Sequence, residues 1–148
     1  MTVLISGKKR LTGVSREKIR KTAEAVLRLL QSSDAELSIL LVDDAEMTAI
    51  NSEYRGKNRP TDVIAFAMGE GEFGNINSNM LGDVVISLDR AKKQAMERNA
   101  QVMEEVRSLL IHGMLHLHGY DHEKDEAQRL LMEGKEKELL KALEKRNL

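Results

Sequence analysis

All four histidines of this 148-residue chain fall within residues 112 to 122, HGMLHLHGYDH. On an α-helix four residues turn the chain by about 400°, so His112 and His116 project from one face, one turn apart. At that spacing two imidazoles can grip one ion. His118 lies on another face and is read as a non-ligand. Gly119 permits the left-handed turn that reverses the chain, and His122 arrives after the reversal. His112-x3-His116-x5-His122 is therefore a way for a helix and its exit turn to supply three nitrogen ligands.

Three histidines leave a fourth tetrahedral position for water or substrate, which is the arrangement of catalytic rather than structural zinc. Water bound there falls from a pKa near 15.7 to about 7 and becomes a nucleophile at neutral pH. Neutral imidazole suits zinc first, although nickel, copper or iron would also accept it. The competing expectation is four solvent-facing histidines or a loose metal-buffering tract. The glycine at the break and the spacing favour a site. The metal-binding positions coincide with the metzincin pattern H-E-x-x-H-x-x-G-x-x-H. The second position does not: Gly113 stands where that pattern has its glutamate base. A peptidase needs that base, so its absence argues against proteolysis.

These residues need elements to position them. TVLIS (2–6) reads as a short strand and ELSILLV (36–42) as a buried one. Between them a helix runs from Ser15, its N-cap, to about Gln31, with Ile19, Ala23, Val26, Leu27 and Leu30 at helical spacing. Asp43 or Asp44 caps a second helix to about Tyr54, with Met47 and Ile50 inward. RGKNRPTD (55–62) is a loop, DVIAFAM (62–68) a strand, GEGEFGNINSNM (69–80) a flexible loop and LGDVVIS (81–87) a strand. Helices follow at 88–99, capped by Ser87, at 102–119 and at 123–147. Val102, Val106, Leu109, Leu110, Gly113 and Leu117 form the packing stripe of the helix at 102–119. The class is α+β, with about four strands in a mixed sheet and four or five helices, in one domain over 1–148.

Composition narrows the function classes. There is no cysteine, which excludes disulfides, Cys-type zinc sites and thiol nucleophiles. No apolar run approaches the roughly 20 residues of a membrane span. MTVLISGKKR is too short in its apolar part for a signal peptide, so a cytoplasmic location and no membrane partner are expected. Net charge is −1, giving no global field toward nucleic acid. The cations are nevertheless clustered. One group is Lys8, Lys9, Arg10, Arg16, Lys18, Arg20 and Lys21; another is Arg55, Lys57 and Arg59.

With these residues in view the chain closely resembles the YbeY family of bacterial endoribonucleases, which act in ribosomal RNA maturation. HGMLHLHGYDH matches every fixed position of the family signature H-G-x-L-H-L-x-G-Y-D-H. YRGKNRPTDVIAF (54–66) is similar to the family's Y-R-G-K-x-x-P-T-D-V-L-S-F segment, and LGDVVIS to its L-G-D-I-x-I-S strand. Ala65 stands where serine is usual and Ala67 where proline usually follows the phenylalanine, which puts the path of that strand in question. The resemblance implies a metzincin-like fold and one zinc on His112, His116 and His122. It also implies cleavage of single-stranded RNA, processing of the 3′ end of 16S rRNA with ribosome quality control, and association with ribosomal particles, with ribosomal proteins as further candidate partners.

Phosphodiester cleavage must stabilise extra negative charge on the non-bridging oxygens. An arginine fork matches phosphate and stays charged. Arg55 is the first candidate, by its match to Y-R-G, with Lys57 and Arg59 positioning the backbone. Asp121, next to a ligand, either orients an imidazole or does acid–base work; Asp62 and Asp83 near strand ends are open to either role. Attack by the RNA 2′-hydroxyl, with the metal only neutralising charge, is the other route. Tyr54, Phe66, Phe73 and Tyr120 are too few for a stacking platform and are read as core or turn packing, so weak intrinsic sequence preference is expected. The rival functions are a metzincin-type metallopeptidase and a non-catalytic assembly factor in which metal only fixes the turn.

Overall fold

A computed structural model describes residues 1–7, 13–68, 79–123 and 125–148. In chain order the elements are β1 (Thr2–Gly7), α1 (Arg16–Leu29), β2 (Glu36–Val42), α2 (Asp44–Arg55), β3 (Val63–Ala67), β4 (Met80–Ser87), α3 (Leu88–Glu97), α4 (Val102–Leu117) and α5 (Glu126–Lys145). The expected α+β class with a four-stranded mixed sheet and five helices is borne out. Strand order is β1-β2-β4-β3; β1, β2 and β4 run parallel, and β3 pairs antiparallel with β4 at the edge. Residues 69–78, most of the expected loop, lie outside the described residues, as do Lys8, Lys9, Arg10 and Phe73.

Both faces of the sheet are covered, which is why β2 and β4 read as near-continuous apolar runs. Leu37, Ile39 and Leu41 of β2 and Val84 and Ile86 of β4 face the main core, shared with α1, α3, α4 and α5. Val42, Val85 and Ile64 face the other way, against Met47 of α2. The helix starts obey capping chemistry. Ser15 accepts from the Lys18 N–H, Ser87 from the Arg90 N–H, and Asp43 forms a reciprocal capping box with Glu46.

Two elements depart from the reading. The closing helix starts at Glu126, capped by Asp125, not at 123, so His122 and Glu123 belong to a turn. Helix α4 buries far more than one stripe: Met103, Ile111, Met114 and Leu115 are buried along with the expected residues, while Val102 is only partly so. A helix that is apolar nearly all round must sit inside the fold. Here α4 is enclosed by the sheet, α1, α3 and α5. Even its acidic Glu105, 5% exposed, is held by Arg98 at 2.7 Å.

Candidate metal centre

Helix α4 carries His112 and His116 along one face, and its end is built to return the chain. Residue Gly119 has φ +93°. Its N–H donates to the His116 carbonyl at 3.0 Å, and the Tyr120 N–H donates to Leu115 at 3.1 Å. These two bonds are a Schellman motif, which consumes the orphan carbonyls and reverses the backbone in one step. Tyr120 packs partly buried against the core and anchors the reversal. Asp121 Oδ1 then accepts the Glu123 N–H at 2.9 Å, an Asx turn that sets the next two residues. The result swings His122 back over the helix.

The three imidazoles converge. His116 Nε2 lies 3.2 Å from His112 Nε2 and 3.1 Å from His122 Nδ1. The rings stand edge to face, with centroids 4.8 to 5.1 Å apart. Tetrahedral zinc at its usual nitrogen distance of about 2.0–2.1 Å would space ligand nitrogens about 3.3 Å apart, so the cluster has the dimensions of a ligand set and could hold a metal ion. Burial pushes His116 below the ordinary imidazole range, and His112 and His122 reinforce this by charge repulsion, against a smaller opposing pull from Asp121 and Glu123. A neutral imidazole is the form that binds metal. From α5, Glu136 Oε1 accepts the Nδ1–H of His112 at 2.8 Å. Nothing in the sequence reading pointed to Glu136. Its signal was a carboxylate placed between Met132 and Leu139, both buried, on the inward side of α5.

His118 points elsewhere. Its Nδ1–H donates to the Met114 carbonyl at 2.7 Å and its Nε2 accepts from Ser32 Oγ at 2.8 Å.

The cluster opens on a cavity of about 580 Å3 lined by the histidines, Arg55, Asp62, Glu123 and the length of β3. Edge position matters here. The Ser87 N–H donates to Asp62 and the Met68 N–H to Leu81, so the even-numbered residues from 62 to 68 bond toward β4. Ala65 and Ala67 therefore turn their backbone N–H and C=O away from β4, in a strand that lines the cavity. The strand runs in unbroken register despite the two departures from the family pattern. An outward N–H is also the kind of edge position that tolerates proline, and with Ala67 this chain keeps a donor there.

Gly113 has a steric cause. A Cβ there would sit 2.7 Å from Val84 Cγ1 and 3.3 Å from Val63 Cγ2. A side chain here would force Val84 or the helix to shift, so the glutamate of a metzincin peptidase is disfavoured at this position.

Arg55 ends α2 and lines the cavity, exposed. Lys57 and Arg59 are exposed on the loop beyond; Asn51, 1% exposed, ties that loop down by donating to the Arg59 carbonyl at 2.8 Å. Asp62 lines the cavity with both oxygens engaged, by the Val63 N–H at 2.7 Å and Gln94 Nε2 at 3.1 Å. Asp83 neighbours Val84, whose side chain meets α4, so strand alternation turns Asp83 to the opposite side of the sheet. Burial raises its carboxyl above the ordinary range. Tyr54, expected as packing, is 64% exposed and meets Phe66 edge-on at 5.3 Å. Arg16 of the first basic cluster donates to the Gly7 carbonyl at 3.0 Å.

Comparison with known proteins agrees with the site. The family model for Endoribonuclease YbeY matches residues 5–144. Proteins named Endoribonuclease YbeY from Geobacter sulfurreducens and Geobacter metallireducens are 43% and 44% identical, covering 97% and 100% of this chain and 97% and 99% of their own. One from Aquifex aeolicus is 49% identical over 82% of this chain and 78% of its own. A Thermotoga maritima protein whose structure was determined in solution superposes with a TM-score of 0.64 at 25% identity, covering 93% of this chain and 86% of that one. With the signature histidines converging as the spacing requires, and relatives matched along nearly their full length, the chain belongs to the YbeY family.

Proposed function

We propose that the chain is a single-domain, zinc-dependent endoribonuclease that cuts single-stranded RNA in rRNA maturation, including the 3′ end of 16S rRNA, on ribosomal particles in the cytoplasm. The observation that carries this reading is the convergence of His112, His116 and His122 at the floor of a cavity rimmed by Arg55. The relatives named as endoribonucleases support the substrate class. Among the described residues no helix is long and apolar enough to cross a membrane.

A divalent ion on the three histidines would supply Lewis acidity and a water acidified toward neutral pH. The protein's own residues do the rest. Arg55 places a fixed positive charge at the cavity wall, where it pairs with the non-bridging oxygens of a scissile phosphate as their charge grows. The outward N–H groups of Ala65 and Ala67 hold the sugar–phosphate backbone along β3. Asp62 keeps the start of β3 in place, since both its oxygens are already committed. Asp121 holds the turn that presents His122, and Glu123 lines the cavity with a carboxylate oxygen 3.8 Å from His122 Nε2. The peptidase alternative lacks the metzincin glutamate, and a side chain at position 113 would collide with Val84.

The test is metal analysis and RNA cleavage on the parent and on His116→Ala. The parent should hold one zinc per chain and cut unstructured RNA; the variant should do neither. A metal-free variant that still cut RNA at the parental rate would remove the metal from the chemistry. A metal-free variant that still bound ribosomal particles and restored growth would favour the assembly-factor reading.

A further inference from the structure

We infer that Glu136, from the closing helix, is a positioning residue of the metal centre. It holds His112 as the Nδ1–H tautomer, so that Nε2 faces the other two histidines, and it makes the seating of α5 a determinant of metal affinity. The inference deepens the metal reading given above and rests on it.

The geometry is specific. Buried Met132, Leu139 and Leu143 fix which side of α5 faces the protein, and Glu136 follows Met132 by one turn on that side. It reaches His112 Nδ1 at 2.8 Å, with both side chains less than a third exposed. A neutral imidazole carries one proton. With Nδ1–H donated to the carboxylate, Nε2 is left with its lone pair, and this is the atom 3.2 Å from His116 Nε2. Without Glu136 the ring is free to rotate or to place its proton on Nε2, where it would block a ligand position. A carboxylate behind a ligating imidazole also strengthens it as a donor, and losing such a partner typically weakens metal binding 10–100-fold. Because coupling is reciprocal, bound metal in turn stabilises the docked α5.

The contact is tested first on metal-free protein, by long-range 1H–15N NMR of the imidazoles, and then by zinc competition against a chromogenic chelator. In the parent, His112 should show Nδ1 protonated and Nε2 bare. Glu136→Ala should lose that signature, bind zinc 10–100-fold more weakly and gain less thermal stability from it, with unchanged helical circular dichroism. Glu136→Gln keeps an acceptor oxygen, so it should restore the tautomer and most of the affinity. Glu133→Ala, one turn away and paired with Arg129 at the surface, should match the parent. Parental zinc affinity in Glu136→Ala, or a parent whose His112 carries its proton on Nε2, would overturn the inference. A parent that took up no metal would end the metal reading and the affinity claim together, while the tautomer spectrum would still decide the Glu136 contact by itself.

Discussion

His116 and His118 stand two residues apart at the end of one helix, and their surroundings give them opposite duties. Both nitrogens of His118 are satisfied by the protein, through the Met114 carbonyl and the Ser32 hydroxyl. It ties the end of α4 to the turn after α1. His116 instead points a nitrogen at two other imidazole nitrogens. With the His112 Nδ1–H directed at Glu136, its Nε2 presents a lone pair toward the other two imidazoles, and a cation is the partner that converging ring nitrogens can share. The lesson is that a histidine's role follows from what its second nitrogen and its neighbours offer, not from its place in a histidine-rich stretch.

The largest effect that would sharpen this contrast is on the metal side. His116→Ala should lower RNA cleavage by roughly a thousandfold, the several kcal/mol a metal contributes to charge stabilisation, together with loss of bound zinc by elemental analysis. Next, Arg55→Ala should reduce kcat/KM by about a hundredfold with metal content unchanged, as expected for removing one charge-stabilising donor. Arg55→Lys should recover only part, because an ammonium cannot form the planar fork. Equal rates in parent and Arg55→Ala would remove Arg55 from the chemistry.

Gly113→Glu restores the metzincin pattern in sequence and tests whether pattern or packing governs. The expected result is no peptidase activity on casein and a stability loss of roughly 1 to 3 kcal/mol from overpacking against Val84, read by denaturant titration. His118→Ala should cost about 1 kcal/mol by removing the side-chain bonds to the Ser32 hydroxyl and to the Met114 carbonyl, which keeps the backbone N–H of residue 118, while zinc affinity stays close to the parent's. Loss of zinc in that variant would break the division between the two histidines.

The smallest effect concerns Asp83, on the far side of the sheet. Burial raises its carboxyl, so the folded state holds that proton more tightly than the unfolded chain does. Its stabilising neutral form is present below the ordinary value of 3.8 and is lost as pH rises through the raised one. Asp83→Asn should therefore be modestly more stable than the parent at pH 7, with the difference closing in acid and RNA cleavage unaffected. A variant less stable at neutral pH would contradict this.

Much of the molecule was legible because local rules and tertiary needs agree. Ser15 and Ser87 cap the helices they were expected to cap, Asp43 rather than Asp44 caps α2, and the apolar run of β2 announced a buried strand. Illegible features arise from contacts between distant segments. Leu130 and Leu131, 55% and 61% exposed, blur the apolar edge of α5, so periodicity alone could not say that Glu136 faces inward. Nor could spacing tell that Asp62 is consumed by Gln94 while Asp83 looks away from the cavity.

By itself the sequence determined the ligand geometry along α4, because helical pitch and a left-handed glycine are properties of consecutive residues. It also determined the family, through motifs that depend on those same local constraints. Only the tertiary structure decided that Gly113 is glycine because Val84 presses on it, that Ser32 engages His118, and that α5 places a carboxylate behind His112. Each of these pairs residues between 24 and 86 positions apart, and such meetings are set by how the layers pack, which no local periodicity encodes.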